Sequence, residues 1–182
     1  IGVAALAQYF ARRAPTDEAR AAEDEPRQPG VHAIFCLPMW TVAQLGVDLA
    51  AGRTTSRQLV EEAFAKIVDP AGEGSRAFVK LYADSARAEA EFADRLRKSG
   101  VRRSPVDGLP IAVKDLTATS GIRTTYSCRA FADNVPDFDT AVVRRIREAG
   151  FVIVGKTNTP EFGTVAFTES DLNGATSNPW SP

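Results

Sequence analysis

Residues 108–115 read Gly-Leu-Pro-Ile-Ala-Val-Lys-Asp, and this segment indicates the fold class most directly. Its apolar run over 109–113 follows two turn-forming residues, Pro105 and Gly108, which is typical of a buried strand. Lys114 and Asp115 come directly after the run. Because reactive groups in open α/β sheets collect at the carboxyl ends of strands, these two residues mark a candidate site.

A second buried strand is predicted over 151–154, after a helix that we expect to begin with Asp139 as its N-cap and to end at Gly150. Strand, helix and strand form a βαβ unit, so the two strands should pair in parallel with a right-handed crossover. Lys114 and Lys156 would then leave the same edge of one sheet. The helical spacing places three apolar residues on the inward face of this helix, namely Val142, Val143 and Ile146.

Residues 150–157 fit the phosphate-loop pattern G-x-x-x-x-G-K-[ST], but their physical context favours another interpretation. The four middle residues are Phe, Val, Ile and Val, which favour a strand over a loop whose N–H groups curl around a phosphate. A helix precedes the segment where a phosphate loop needs a strand. We therefore predict a helix C-cap followed by a core strand, and no nucleotide site.

The pattern from about Thr41 to residue 100 predicts helices and one short strand. A helix should end at Gly52, and a capping box at Thr55 and Gln58 should open a second helix that stops before Pro70. A strand is expected over 77–81, followed by a helix over 85–98 with Ala88, Phe92 and Leu96 at helical spacing. Downstream, residues 159–162 (Thr-Pro-Glu-Phe) are typical of a helix start.

Composition excludes several classes of protein. The 182 residues carry 22 Lys plus Arg and 23 Asp plus Glu, a net charge of −1, so nucleic acid is not expected as a partner held by bulk positive charge. His32 is the single histidine, and Cys36 and Cys128 are the two cysteines, which rules out a disulfide scaffold and argues against a Cys/His metal site. No catalytic pattern surrounds His32.

Residues 1–40 are interpreted as a unit apart from a domain over 41–182. Residues 1–13 should form a short helix, and residues 14–30, with charges and three prolines, should form a linker. No apolar run approaches the ~20 residues that cross a bilayer, so we expect a cytoplasmic protein without a membrane partner. The first residue is Ile and the last five read Asn-Pro-Trp-Ser-Pro, from which we expect a piece of a longer protein.

Five segments in register resemble the amidase signature family, across residues 108–180. The resemblance implies an α/β fold with a mixed central sheet flanked by helices, of which residues 41–182 would form the N-terminal portion of a single amidase domain. The matching segments are 108–115, Gly121 with Thr124 and Thr125, the two ends of the helix at 139–150, Gly-Lys-Thr-Asn-Thr-Pro-Glu-Phe-Gly at 155–163, and Asn-Pro-Trp at 178–180.

By the same resemblance, Lys114 is the catalytic lysine of a Ser–cis-Ser–Lys triad. It would take a proton from a bridging serine, which in turn deprotonates the nucleophilic serine that attacks the amide carbon. Backbone N–H groups would hold the oxyanion. Lys156 would be a structural residue that makes hydrogen bonds or charge pairs near the sheet edge. The resemblance implies neither a metal nor a cofactor.

Two departures from the family pattern bear on function. Residues 126–128 read Tyr-Ser-Cys where the family usually has a small residue and then Gly-Ser, which adds bulk near the expected substrate entrance and leaves the substrate open. The family's Gly-Gly-Ser-Ser-Gly-Gly segment, which carries the bridging serine, would follow Asn-Pro-Trp, and Ser181 lies outside such a context. The 182 residues alone are therefore expected to be inactive. Cys128 is interpreted as an idle thiol.

The predicted function is hydrolysis of the C–N bond of a small-molecule carboxamide. The expected partner is the remainder of the amidase domain, on the same chain or a separate one, and a homodimer stays open. Two alternatives are the A subunit of a tRNA-dependent amidotransferase and a non-catalytic α/β interaction module that docks through residues 1–40.

Overall fold

A computed structural model describes residues 41–178, and a three-stranded mixed sheet lies at its centre. Its strands are β1 (Phe78–Leu81), β2 (Pro110–Lys114) and β3 (Val152–Thr157), in the order β1–β3–β2. β3 pairs in parallel with β2 and antiparallel with β1. The predicted mixed sheet and the parallel pairing of the two core strands are thus confirmed.

Helices and one further hairpin surround this sheet. The α-helices of the described residues are α1 (Val42–Ala50), α2 (Ser56–Ile67), α3 (Gly74–Ala77), α4 (Ala83–Lys98) and α5 (Ala141–Glu148). Two 3₁₀ turns (Arg129–Phe131 and Glu161–Gly163) and the hairpin β4 (Thr168–Ser170) with β5 (Gly174–Thr176) complete the fold. Within residues 41–178, none of these helices is long and apolar enough to cross a membrane.

β3 is buried because hydrophobic clusters cover both of its faces. Val152 and Val154 pack against apolar residues of α2 and α4, whereas Ile153 packs with Val113 and α5 on the other face. A third cluster joins α1 and α2 to Leu109, just before β2. Burial on both faces explains why the β3 segment reads as a continuous apolar run.

Most helix limits follow the sequence signals, with two differences of detail. α2 begins as predicted, since the Thr55 hydroxyl accepts from the Gln58 N–H at 3.0 Å, but the Gln58 side chain bonds Glu62 and does not complete the capping box. α4 buries Ala86, Ala90 and Ala93, not the predicted Ala88–Phe92–Leu96 row, because small side chains let α4 pack closely on α2 and β3.

The predicted N-cap of α5 is wrong. Thr140 holds the N-cap position, and the Asp139 carboxylate instead accepts from the Ser120 N–H at 2.7 Å and pairs with Arg147 at 3.0 Å. Val143 and Ile146 face inward as predicted, but Val142 is exposed. Asp139 therefore joins the start of α5 to the loop after β2.

The helix predicted to start at Thr159 is also wrong. Only the single 3₁₀ turn Glu161–Gly163 forms there, and Phe162 has a left-handed backbone with φ of 50°. The Phe162 N–H donates to the Tyr126 carbonyl at 2.9 Å, so a contact with another loop replaces the helical hydrogen bond. The Thr159 hydroxyl, the expected cap, is buried without a hydrogen-bond partner in the described structure.

The segment that matches a phosphate loop forms a helix C-cap and a core strand, as predicted. Gly150 follows α5 with φ of 86°, and the Asp107 carboxylate occupies the space that a Cβ at this position would need. The strand β3 begins two residues later. The predicted helix and linker in residues 1–40, with His32 and Cys36, lie outside the described residues, as does Ser181.

Gly155 lies in β3 where β1 pairs closely with it. A Cβ at Gly155 would lie 2.5 Å from the Lys80 carbonyl oxygen and 2.9 Å from the Phe78 ring, and the β2–β3 register shifts by one residue just before it. The absence of a side chain at this position therefore allows β1 to pair with β3.

We predict that Gly155→Ala lowers the free energy of unfolding of the complete protein by about 2 kcal/mol, because the new Cβ must push the β1 backbone away. Urea denaturation measures the change. Gly72→Ala is the matched control, since its nearest neighbouring atom is an ordinary 3.6 Å away. A Gly155→Ala protein as stable as the control would contradict the close approach of the two strands.

Candidate active site

Lys114 lies at the carboxyl end of β2, beside the end of β3. Its register partner is Thr157, whose carbonyl accepts from the Asp115 N–H at 2.9 Å. The Lys114 side chain is half-buried, and within residues 41–178 no hydrogen bond or ion pair holds its amine. β2 is also the outer strand of the sheet in this part of the chain. Within this part of the chain, Lys114 therefore has an amine without a hydrogen-bond partner, at the end of a strand that is paired on one side only.

Lys156 lies at the same edge but on the other face of the sheet. Its register partner is Val113, the neighbour of Lys114 in β2. Because consecutive side chains of a strand alternate between faces, the Lys114 and Lys156 side chains leave the sheet in opposite directions. The prediction that both lysines lie at the carboxyl ends of the two parallel strands is right, but their side chains lie on opposite faces of the sheet.

The Lys156 ammonium is fully buried and fully hydrogen-bonded. Its Nζ donates to the Thr117 carbonyl at 2.6 Å, to the Thr119 hydroxyl at 3.2 Å and to the Thr124 hydroxyl at 3.1 Å. Each hydroxyl donates its own hydrogen to a backbone carbonyl, at 3.0 Å and 3.1 Å respectively. All three partners of Nζ are therefore acceptors, which only the three donors of a protonated amine can satisfy.

The electrostatic setting of Lys156 agrees with this arrangement. Desolvation by burial lowers the pKa of Lys156 from 10.5 to about 8, and the negative charge of Asp115 opposes that shift. The amine is thus still protonated at neutral pH. With every donor in use, it acts as a structural cation that holds the loop after β2, as the sequence predicted for this residue.

Asp115 is the second buried charge of this network. Its carboxylate accepts from the Thr125 N–H at 3.1 Å and from the Thr125 hydroxyl. Desolvation by burial raises the pKa of Asp115, while the Thr125 hydrogen bonds and the positive charge of Lys156 act to lower it. Because Asp115 follows Lys114 directly, these bonds fix the backbone on which the Lys114 side chain stands.

A second hydrogen-bonded group joins the loop after β2 to the loop after β3. The buried Ser127 hydroxyl bonds the Asn158 side-chain oxygen at 3.3 Å and accepts from the Asn173 amide at 2.9 Å. The Asn158 amide in turn donates to the Thr176 hydroxyl of β5 at 3.0 Å. Ser127 and Asn158 therefore attach the β4–β5 hairpin to the strand ends.

Cys128 lies next to this group and is a poor nucleophile. Its thiol is half-buried, and its hydrogen bond to the Glu161 carboxylate is the main cause of a raised pKa. Since the thiolate is the reactive form of cysteine, this setting suppresses its reactivity. The geometry agrees with the interpretation of Cys128 as an idle thiol.

The structure adds residues to the candidate site that the sequence alone does not connect with Lys114. The paired threonines at 124 and 125 and the Lys-Thr-Asn of 156–158 belong to separate motif segments, and the structure brings them together at the ends of β2 and β3. A usable signal was present, because an aspartate directly after a fully buried strand needs a partner. Nothing in the local sequence identifies that partner as Thr125.

Comparisons with known proteins agree with this architecture. The family model described as Amidase matches residues 58–182. The A subunit of glutamyl-tRNA(Gln) amidotransferase from Synechococcus sp. (strain CC9605) is 41% identical over 140 residues, which are 77% of this chain and 28% of the relative. The crystal structure of peptide amidase from Stenotrophomonas maltophilia superimposes with a TM-score of 0.69 at 34% identity, over 76% of this chain and 30% of that enzyme.

A second similar structure comes from a vestigial protein complex linked to the origins of an s-triazine catabolic enzyme. Its TM-score is 0.71 at 33% identity, over 77% of this chain and 31% of that one. The chain therefore belongs to the amidase family. It spans less than a third of the length of these three relatives.

We predict that the free energy of unfolding of the complete protein contains a pH-dependent contribution from Lys156. The unfolded chain takes up this proton at about pH 10.5 but the folded chain only at about pH 8, so stability should rise between these values, by about 3 kcal/mol in all. Urea denaturation at pH 7.5, 9 and 10.5 measures the rise.

Lys156→Met should remove this contribution, so the difference between the two proteins isolates it from other titrating groups. Lys80→Met, which changes an exposed lysine of β1, is the control and should keep the wild-type rise. Equal pH dependence in the wild-type and Lys156→Met proteins would contradict a buried cation at this position.

Proposed function

We propose that the complete protein is an amide hydrolase in which Lys114 is the base of a Ser–cis-Ser–Lys triad. The observation that carries this proposal is the contrast between the two lysines at the sheet edge. The Lys156 ammonium donates to three acceptors and has no further N–H to donate. Within residues 41–178, the amine of Lys114 has no hydrogen-bond or ion-pair partner. Only Lys114 is free to exchange a proton with an arriving hydroxyl.

The proposed chemistry needs an uncharged amine at Lys114. That amine accepts the proton of the bridging serine, which takes the proton of the nucleophilic serine as its oxygen bonds to the amide carbon. The tetrahedral oxyanion forms against backbone N–H donors. The C–N bond then breaks, the proton returns through the bridging serine to the leaving amine, and water hydrolyses the acyl-enzyme to the carboxylic acid.

The open edge of β2 supports the position of the missing serines. β2 has a partner on one side only among residues 41–178, and a half-buried lysine ends it. A serine segment packed over this edge would remove water from the amine, and desolvation favours the uncharged form of an amine. We propose that residues 41–182 are the N-terminal part of one amidase domain, that the serines lie in its remainder, and that these 182 residues alone are inactive. Location in the cytoplasm stays a prediction.

A second candidate is the A subunit of a tRNA-dependent amidotransferase. The relative of that name is 41% identical to this chain, above the 34% of the peptide amidase. A tagged complete protein purified from its own host separates the candidates. A stoichiometric second subunit would support the amidotransferase, and an active single protein or homodimer would support the free hydrolase. A native product of only 19.6 kDa would favour the non-catalytic module.

We predict that Lys114→Ala lowers the kcat of amide hydrolysis by the complete protein by about 10³-fold, because the base is lost. Ammonia release from a primary carboxamide measures the rate. Lys114→Arg should be equally impaired, since a guanidinium keeps the positive charge but does not act as a base.

Lys80→Ala is the matched control, because it removes an exposed lysine from the neighbouring strand β1 without touching the strand ends. It should retain wild-type activity. Near-normal hydrolysis by a folded Lys114→Ala protein would remove Lys114 from the mechanism, whereas activity in Lys114→Arg alone would reduce its role to charge.

A further inference from the structure

Three aromatic side chains form a cluster at the same end of the sheet as Lys114. The rings of Tyr126 and Phe162 stack at 6.0 Å with an angle of 16°, and the Phe131 ring meets them edge-on at 5.4 Å and 5.9 Å. Phe131 is 39% exposed and Phe162 is 48% exposed. We call these three residues the aromatic cluster. Two of the three rings therefore leave apolar surface uncovered by the rest of residues 41–178.

The backbone around this cluster is held in an unfavourable conformation. Tyr126, Ser127 and Phe162 have φ of 55°, 52° and 50°, and no other non-glycine residue described in 41–178 has a positive φ. Such conformations are costly for residues with a Cβ and persist where surrounding structure enforces them, often at ligand sites. Two of the three strained residues supply rings to the aromatic cluster.

Backbone contacts hold the aromatic cluster close to the chain that carries Lys114. The Tyr126 N–H donates to the Asp115 carbonyl at 3.0 Å, and Asp115 directly follows Lys114. The Phe162 N–H donates to the Tyr126 carbonyl at 2.9 Å. Leu116 packs against Gly163, with its Cδ2 only 2.7 Å from where a Cβ would be. The rings therefore belong to the loops that follow β2 and β3.

We propose that the aromatic cluster is the subsite that binds an aromatic or large apolar group of the substrate amide. The inference rests on the proposed amide hydrolysis and names the substrate class for it. Loops at the carboxyl ends of parallel strands are where open α/β sheets bind ligands. Stacked and edge-on rings offer an apolar surface that matches a phenyl or long alkyl group.

The test compares two primary amides that differ by one phenyl ring, propanamide and 3-phenylpropanamide, with the complete wild-type protein. We expect a higher kcat/KM for 3-phenylpropanamide. Phe162→Ala should lower the ratio of the two kcat/KM values by about ten-fold or more, since one apolar group in a pocket is worth such a factor. Phe131→Ala should change the ratio in the same direction.

The ratio does not depend on the fraction of folded enzyme, because both substrates report on the same molecules. Phe92→Ala is the matched control: Phe92 is 47% exposed, as Phe162 is, but it lies on α4 beside Arg95 and Arg103. It should leave the ratio unchanged.

The outcomes separate the two proposals. Hydrolysis of both amides with an unchanged ratio in Phe162→Ala and Phe131→Ala would overturn the aromatic subsite and leave the hydrolase standing. A wild-type preference for propanamide would do the same. Absence of hydrolysis of either amide by the folded complete protein would count against the proposed function itself.

Discussion

The structure depends on one buried cation. The ammonium of Lys156 is enclosed between β3 and the loop after β2, and its three hydrogen bonds fix the positions of Thr117, Thr119 and Thr124. A buried charge is costly unless it is paired and fully bonded, so the loop has little freedom to take another path. The three hydrogen bonds thereby attach the loop after β2 to the end of β3.

These hydrogen bonds account for the different surroundings of Lys114 and Lys156. The loop held by Lys156 presents Thr125 to Asp115, and Asp115 fixes the backbone next to Lys114. All hydrogen-bond donors of Lys156 are in use. The backbone next to Lys114 is held in place, and within residues 41–178 the Lys114 amine has no hydrogen-bond partner. Preorganised support of this kind suits the proton transfer that we propose for Lys114, because the acceptor must already be in place when the serine hydroxyl approaches.

The same loop connects the proposed chemistry to the proposed substrate class. It carries Tyr126, and its contact with Phe162 replaces a helix that the sequence alone predicts after β3. The strained backbone is therefore part of how the two loops meet. Family membership defines the scaffold. Tyr126 departs from the family pattern, which usually has a small residue and Gly-Ser at 126–128, whereas Phe162 lies in a segment that matches this pattern.

Elements with local signals can be predicted from the sequence alone. The apolar runs of β2 and β3 and the cap at Thr55 follow from neighbouring residues, as does the position of Lys114 after a buried strand. By contrast, two contacts become visible only in the fold: Asp139 bonds Ser120 instead of capping α5, and Lys156 uses all its donors on the loop after β2. These partners lie 19 or more residues apart along the chain and become neighbours only in the folded structure, so no local signal in the sequence connects them.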